Sequence, residues 1–378
     1  MATALSKPPR SRWSNFVHDL VTVDFHQSDI NTGVRLAILL IIVTVLGLIT
    51  GHAAGASFVW LGAAYVLAVD QLRSKGTRTR LLLTVSILYA SIYAIGMVIS
   101  LSGSLVVLLC GLGLFIISYF TVFPKAFWTL YFSCVMFVIA IAYQGATLTL
   151  AGQNFLLIFV GGLWAIVGGI IFLPRKTSKQ QRTVTADPIQ EQPEPQLTWQ
   201  DRFRPLTSNL SIHSHHLQYA IVFAITGAVG MLIVQLFKLS EGDWVLITVV
   251  VILAPAFSDI SLTLNKVVHR IIGTIIGAII ALIIIDNVHN IWLLSLLFFI
   301  FASAYLSFIK IKNYAFVVIF MTVVILLFGE ISFPTLTQQP LERIQNIFIG
   351  CVLSLVASSI WIAFSRKKSN LPSERKGE

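Results

Sequence analysis

The feature that most constrains this chain is a series of long apolar blocks separated by short polar segments. A block of about 18 or more apolar residues can span a bilayer core of roughly 30 Å as a helix. Charged residues make up only 11% of the chain, against about 25% in soluble domains. The blocks also lack the alternation of apolar and polar residues that is typical of membrane β-barrel strands. The sequence therefore predicts an all-α membrane protein.

The blocks predict about 12 transmembrane helices, six on each side of a polar linker. The predicted spans lie near residues 33–50, 54–70, 81–100, 104–123, 126–143, 155–173, 217–237, 244–257, 267–285, 291–308, 314–328 and 343–364. Two of them, 244–257 and 314–328, are short, and a tilted, broken or partly inserted helix is an alternative for each. The predicted domains are an N-terminal segment (1–32), a first six-helix repeat (33–173), a polar linker (174–216), a second six-helix repeat (217–364) and a basic tail (365–378).

The basic residues predict the orientation of the chain in the membrane. A cytoplasmic N-terminus and twelve crossings place 24 of the 26 lysines and arginines on the cytoplasmic side, and only Lys238 and Arg343 fall elsewhere. Such asymmetry follows the positive-inside rule. We therefore expect the N-terminus, the linker and the C-terminus to be cytoplasmic. Because each half has an even number of spans, the two repeats are predicted to be parallel, with a two-fold axis along the membrane normal.

One polar segment precedes the first span of each half. Apolar side chains from Trp13 to Leu20 recur at helical spacing beside charged residues, which indicates a helix lying in the membrane interface; a solvated tail is the alternative. The linker 174–216 is too polar and too rich in proline to form a core, so it is predicted to be a flexible tether.

The two halves share a pattern of residues. Trp60 lies at the second span of the first half as Trp244 does in the second half. The segment from Arg80 to Thr84 matches the segment from Arg270 to Thr274, each with a basic residue four positions before a threonine. This correspondence supports an internal repeat.

The second half carries a recognisable series of residues. It runs from Pro-Leu-Thr-Ser-Asn-Leu-Ser (205–211) to Gly242-Asp-Trp244, then Leu-Ile-Thr-Val-Val-Val-Ile-Leu-Ala-Pro (246–255) and His269-Arg-Ile-Ile-Gly-Thr-Ile-Ile-Gly277. This series resembles the integral-membrane transporter domain of the fusaric acid resistance and aromatic acid exporter families. The resemblance implies a bacterial inner-membrane protein that exports small organic, often aromatic, anions. A passive anion channel, like the related plant malate channels, is the alternative that the resemblance leaves open.

The candidate substrate-binding residues are those that the halves share. Arg80 and Arg270 are each predicted to stand at the cytoplasmic start of a third span, where a helix N-terminus attracts anions. Both could then recruit a carboxylate, and Thr84 and Thr274 could accept it one turn deeper. A purely topogenic role for the arginines is the alternative. The other substrate-binding candidates are the two tryptophans named above, Trp60 and Trp244.

Three further residues are singled out by their position in an apolar block. Asp70 ends the second span, where it is either a proton-coupling carboxylate or the partner of Arg73 in a salt bridge. Gly273 and Gly277 are spaced for close helix packing.

Aromatic residues and histidines leave alternatives open. Trp128, Tyr131, Tyr305 and Tyr314 flank the cytoplasmic junctions, where they would anchor the interface or stack on an aromatic substrate. Three histidines lie within four residues (213–216), but no cysteine or carboxylate stands beside them. A solvated loop is therefore predicted there, and no metal site.

The motifs of known reactions do not occur. The sequence has no His-Glu-x-x-His, no Gly-x-Ser-x-Gly, no P-loop and no pair of intramembrane aspartates, so neither a common hydrolase nor an ATPase is predicted. We expect no cofactor and no nucleic-acid partner. The expected partners are the lipid bilayer and a small organic anion, and a homo-oligomer or an assembly role is compatible with the sequence.

Overall fold

The computed structural model describes residues 30–70, 78–143, 145–172, 199–211, 214–256, 260–308, 313–332 and 340–369 of the 378-residue chain. All regular structure in these ranges is helical. The α-helices are α1 (Ile30–Ile49), α2 (Ala53–Asp70), α3 (Arg78–Ser100), α4 (Val106–Tyr119), α5 (Phe127–Ile141), α6 (Leu148–Phe172), α7 (Trp199–Ser208), α8 (His215–Leu236), α9 (Asp243–Ala256), α10 (Ile260–Asn287), α11 (Ile291–Phe308), α12 (Tyr314–Ser332) and α13 (Pro340–Ser369). Short 3₁₀ turns precede and follow α4.

Two helices begin where the sequence supplies a capping residue. The Asn290 side chain accepts hydrogen bonds from the backbone N–H groups of Trp292 (2.9 Å) and Leu293 (3.2 Å) at the start of α11. Asn313 does the same for Phe316 (3.0 Å) at the start of α12. These bonds satisfy N–H groups that have no partner within a helix.

Eight helices of the described part are long and apolar enough to cross a membrane. Four further apolar helices, α1, α2, α5 and α9, contribute apolar stretches of 10–17 residues each. Large apolar side chains such as Leu108, Leu156 and Ile283 are exposed, as expected for helices that face lipid. The prediction of an α-helical membrane protein is therefore confirmed, and the protein is a multi-pass one. The count of twelve crossings stays a prediction.

The two short predicted spans have different outcomes. The segment predicted at 314–328 is the continuous helix Tyr314–Ser332, which qualifies as a candidate span. The segment predicted at 244–257 is α9, whose 14 residues extend for only about 21 Å at 1.5 Å per residue. A straight helix of this length is shorter than a hydrocarbon core of roughly 30 Å, so α9 crosses only where the bilayer thins or the flanking residues complete the span.

The helices of the two halves pack in corresponding pairs. In the first half α2 packs against α6, and α3 packs against α5 and α6; in the second half α9 packs against α13, and α10 packs against α12 and α13. Between the halves, α1 contacts α11 and α4 contacts α8. The first-half helices α2 and α5 also contact α12 and α9, respectively.

The end of the linker is helical. The helix α7 and the residues up to Ser211 lie within the segment predicted to be a tether, and the Tyr119 hydroxyl donates a hydrogen bond to the Leu206 carbonyl (2.6 Å). Leu206 also packs against a cluster formed by Tyr119, Val122, Leu217 and Ala220. The tether prediction thus needs correction here, because apolar side chains of α7 find a surface at the end of α4. The interfacial helix predicted near Trp13 lies outside the described residues.

Candidate functional site

The most unusual side chain of the described bundle is a buried arginine in α10. Arg270 is 1% exposed and is one of the two largest fully buried side chains, together with Arg343. It lies ten residues after the start of α10, which is about 15 Å along the helix. The expectation that Arg270 stands at a helix N-terminus is therefore wrong. The helix extends to Ile260 because the polar residues before the apolar block are also helical.

The Arg270 guanidinium is held at one nitrogen and left without a partner at the other two. Its Nη1 donates a hydrogen bond to the Tyr314 hydroxyl at 3.5 Å. Its Nε and Nη2 are buried and have no hydrogen-bond partner. These two groups form the edge of the guanidinium plane that can bind a carboxylate with two parallel hydrogen bonds. A buried charge without a partner costs several kcal/mol, so this edge is suited to an anionic ligand.

The face of α10 that carries Arg270 also carries Lys266 and Thr274, one turn before and one turn after it. The Lys266 ammonium donates to the Val251 carbonyl (3.3 Å) and lies 5.5 Å from the centre of the Tyr314 ring. The Thr274 hydroxyl is buried without a hydrogen-bond partner. This face thus presents two cations and an unsatisfied hydroxyl in a row.

Tyrosines from both halves surround Arg270. Tyr131 of α5 and Tyr305 of α11 lie within electrostatic range of the Arg270 guanidinium, and the Tyr314 hydroxyl accepts a hydrogen bond from it. Since Tyr131 belongs to the first half, Arg270 lies where the two halves meet. Aromatic rings at this position suit an aromatic anion, although they are also suited to helix packing.

A second buried arginine lies on α13. The Arg343 guanidinium carbon is 3.6 Å from the centre of the Trp244 ring, which is a close cation–π contact. Its Nε and Nη1 are buried without a hydrogen-bond partner, and its charge interacts with that of Arg270. On α9, the Thr248 hydroxyl one turn after Trp244 is also buried without a partner.

A carboxylate lies beside Arg343 in the connection between α8 and α9. The Glu241 Oε2 atom is buried and has no hydrogen-bond partner. Burial raises the pKa of Glu241 to about 7, although the positive charge of Arg343 opposes this shift. The carboxyl is therefore poised to gain or lose a proton near neutral pH.

The first-half candidates lie in different surroundings. Arg80 is the third residue of α3 and is exposed. Thr84 is exposed too, and its hydroxyl donates to the Arg80 carbonyl of the same helix (3.0 Å). Trp60 packs against two rings of the second half, with centroids 4.7 Å from Phe328 and 6.3 Å from Phe298.

The comparison with known families matches the part of the chain that contains this arrangement. Residues 228–357 match the fusaric acid resistance protein-like family. The resemblance recognised from the sequence is therefore confirmed over this segment, which contains Trp244, Arg270 and Arg343. No curated protein and no solved structure shows a significant match to the chain.

The matched segment also contains the two glycines predicted to pack closely. A side chain at Gly273 would lie 2.6 Å from the Ala315 carbonyl, and one at Gly277 would lie 2.7 Å from the Ile319 carbonyl. The backbones of α10 and α12 thus approach each other beside Arg270. Asp70 ends α2, but its side chain lies outside the described part of the structure, as does His213.

Sequence reasoning missed Lys266, Glu241 and Arg343 as members of the site. Arg343 had a signal, because it is one of the two cations that fall outside the positive-inside pattern, at the start of the last predicted span. Lys266 and Glu241 had none, since each was an ordinary charge near the end of a span.

A separate small cavity between α4, α5, α8 and α9 has about 10 Å³ of room, enough for about one water molecule.

Proposed function

We propose that the protein transports small organic anions, aromatic carboxylates in particular, out of the bacterial cytoplasm along a path that passes Arg270. The family match supports membrane transport. The observation that carries the choice of an anion is the buried Nε and Nη2 edge of Arg270, which has no partner. A carboxylate would satisfy both groups at once, whereas a neutral or cationic substrate would leave the charge unpaired.

The path would follow a series of cations. Lys266 and Arg270 lie one turn apart on α10, and the charges of Arg270 and Arg343 interact. An anion that leaves one cation would therefore meet the next within a short distance. Mutual repulsion keeps each site from binding too tightly, as conduction or transport requires.

The architecture we propose is two parallel six-helix repeats, residues 33–173 and 217–364, with twelve crossings. It is supported by the corresponding helix pairs within the halves and by the reciprocal contacts α1–α11 and α4–α8 between them. Parallel repeats related by an axis along the membrane normal are known in transporters. In this arrangement the N-terminus, the linker and the C-terminus are cytoplasmic, and the protein lies in the inner membrane.

A passive anion channel is the second candidate. A channel is favoured by two observations. The α10 face carries cations, and no described carboxylate forms a hydrogen bond with Arg270 that could couple anion binding to a proton. The two candidates share the same anion site and differ in whether transport runs against a gradient.

Proteoliposomes test the proposed function. Purified wild-type protein should mediate movement of radiolabelled benzoate, and R270Q should lose it. R270K should keep part of it, because lysine preserves the charge but not the two parallel hydrogen bonds. R80Q is the matched control and should transport like the wild type. Equal benzoate flux in R270Q and wild-type vesicles would refute the proposal, and accumulation above equilibrium under an imposed pH gradient would distinguish a transporter from a channel.

The orientation is tested by labelling. The three native cysteines Cys110, Cys134 and Cys351 are buried, so a cysteine introduced at Thr185 or Asn370 would be the main accessible thiol. Each should react with a membrane-impermeant maleimide only after the cells are permeabilised. Reaction in intact cells would overturn the proposed topology.

A further inference from the structure

The region around Arg343 contains two groups of opposite charge that each lack a hydrogen-bond partner. The Nε and Nη1 atoms of Arg343 and the Oε2 atom of Glu241 are all buried and unsatisfied. Their charges interact, yet these atoms form no hydrogen bond with each other. Native structures rarely leave such groups unpaired, so a ligand or a proton is expected to complete the arrangement.

The position of Glu241 is fixed by its backbone. The Asn346 side-chain amide donates to the carbonyls of Ser240 (2.6 Å) and Glu241 (3.0 Å). The Ser240 hydroxyl donates to the Glu342 carboxylate. Glu241 also has a φ of 50°, which is uncommon for a residue other than glycine. Residues of α13 thus hold the connection between α8 and α9 in place. Because Arg343 is also on α13, Glu241 is kept beside it.

The other charged groups around Glu241 have hydrogen-bond partners or are exposed. Asp243, the first residue of α9, also interacts with the charge of Arg343, but its carboxylate accepts hydrogen bonds from the backbone N–H groups of its own residue and of Trp244. Glu342, on α13, accepts the hydrogen bond from Ser240. Lys238, in the same connection as Glu241, is exposed. Among these described carboxylates, Glu241 is therefore the one with a buried oxygen atom that has no hydrogen-bond partner beside Arg343.

We propose that Glu241 is a titratable counter-ion of Arg343, which a substrate carboxylate displaces, so that binding of the anion at Arg343 is accompanied by uptake of one proton by Glu241. This proposal rests on the proposed function and adds to it a second anion subsite and a coupled proton. The stacked Trp244 ring orients the guanidinium without using its N–H groups, which stay available to the incoming carboxylate.

The coupling follows from electrostatics. Two carboxylates next to one guanidinium cannot both remain ionised cheaply, so the arrival of one favours protonation of the other. The solvent supplies the proton, from hydronium ion or the protonated buffer, and Glu241 changes from carboxylate to carboxylic acid. Because the pKa of Glu241 lies near 7, the exchange operates in the physiological range. By linkage, the affinity for the anion must then rise as the pH falls.

Isothermal titration calorimetry measures this coupling directly. Benzoate is titrated into the purified full-length protein at several pH values between about 6 and 9, in two buffers with different ionisation enthalpies. The difference in heat between the buffers gives the number of protons taken up. We expect uptake to approach one proton per benzoate at the alkaline end, where the affinity should fall by up to tenfold per pH unit.

Variants separate this inference from the proposed function. E241Q should bind benzoate with an affinity that no longer depends on pH and without proton uptake, and R343Q should also lose the proton uptake. E330Q, which alters a carboxylate of α12, is the matched control and should behave like the wild type. Benzoate binding without proton uptake in the wild type, or uptake that persists in E241Q, would overturn the inference while leaving the proposed function intact. Absence of benzoate binding at every pH would refute both.

Discussion

Arg80 and Arg270 stand four positions before a threonine in corresponding helices, but only one of them is buried. The helix α3 begins at Arg78, so Arg80 lies in its first turn and is exposed. The helix α10 begins at Ile260, so Arg270 lies well inside it and is 1% exposed. The two tryptophans differ in their neighbours, since Trp244 contacts the Arg343 guanidinium and Trp60 contacts phenylalanines.

This difference shows that a repeated motif does not imply a repeated site. The arginine of the motif is buried in the bundle in the second half and exposed at the surface in the first half. The family match lies in the half with the buried cations. We infer that the second half holds the anion site and that the first half serves as its packing partner.

The largest expected effect separates the two arginines by stability. An unpaired buried guanidinium is costly, and an apolar replacement of similar volume should stabilise the fold by about 1–4 kcal/mol. R270M should therefore raise the thermal midpoint of the purified protein while it abolishes benzoate transport, and R80M should change neither. Midpoints are measured by size-exclusion chromatography after heating. A lower midpoint in R270M would mean that Arg270 has a structural role, and the contrast between the halves would then fail.

Replacing Trp244 should weaken benzoate binding, whereas replacing Trp60 should lower the thermal midpoint. W244L removes the ring beneath Arg343, a contact worth about 0.5–2 kcal/mol, and should weaken benzoate binding roughly 2- to 30-fold. W60L should leave the affinity unchanged and lower the thermal midpoint, because Trp60 packs between the halves. Titration calorimetry and heating curves on both variants check this. A loss of affinity in W60L that equals the loss in W244L would contradict the assignment.

A smaller effect concerns pH and stability. The pKa of Glu241 is raised from 4.5 to about 7 in the folded protein, so between these values the folded state binds more protons than the unfolded state. Stability must then fall as the pH rises through this window. E241Q lacks the group and should become more stable than the wild type by a few degrees above pH 7, with little difference near pH 4.5. Midpoints that shift in parallel across this range would contradict the burial of Glu241.

The smallest expected effect separates the two threonines. T274V removes a buried hydroxyl that has no partner and would cost the substrate one hydrogen bond of about 0.5–1.5 kcal/mol. Benzoate affinity should fall roughly 2- to 10-fold. T84V should have no effect, since the Thr84 hydroxyl is exposed and bonds within its own helix. Equal changes in both variants would argue that neither threonine distinguishes the halves.

The helices were largely predictable because the apolar blocks set their positions. The span predicted at 291–308 is Ile291–Phe308, and the span predicted at 217–237 is His215–Leu236. The helix α10 begins seven residues before the membrane span that was predicted near 267–285. Polar residues such as Ser261 and Lys266 end a hydropathy segment but do not end a helix, and the depth of Arg270 depended on that boundary.

The site was predictable only where one residue carried the signal. Arg270, Thr274 and Trp244 were singled out by the family series and the repeat. The contact between Arg343 and Trp244 joins residues 99 positions apart, and the connection that holds Glu241 is fixed by Asn346 from 105 positions away. Periodicity along the chain carries no information about such pairs, so the counter-ion emerges only from the packed structure.

The most direct test of this account is a benzoate binding isotherm for wild type, R270Q and R80Q under identical conditions. Removing one partner of a buried charge pair costs about 2–5 kcal/mol, which corresponds to a loss of affinity of roughly 30- to several-thousand-fold. The account predicts such a loss in R270Q and an unchanged isotherm in R80Q. Equal affinity in R270Q and the wild type, or an equal loss in both variants, would contradict it.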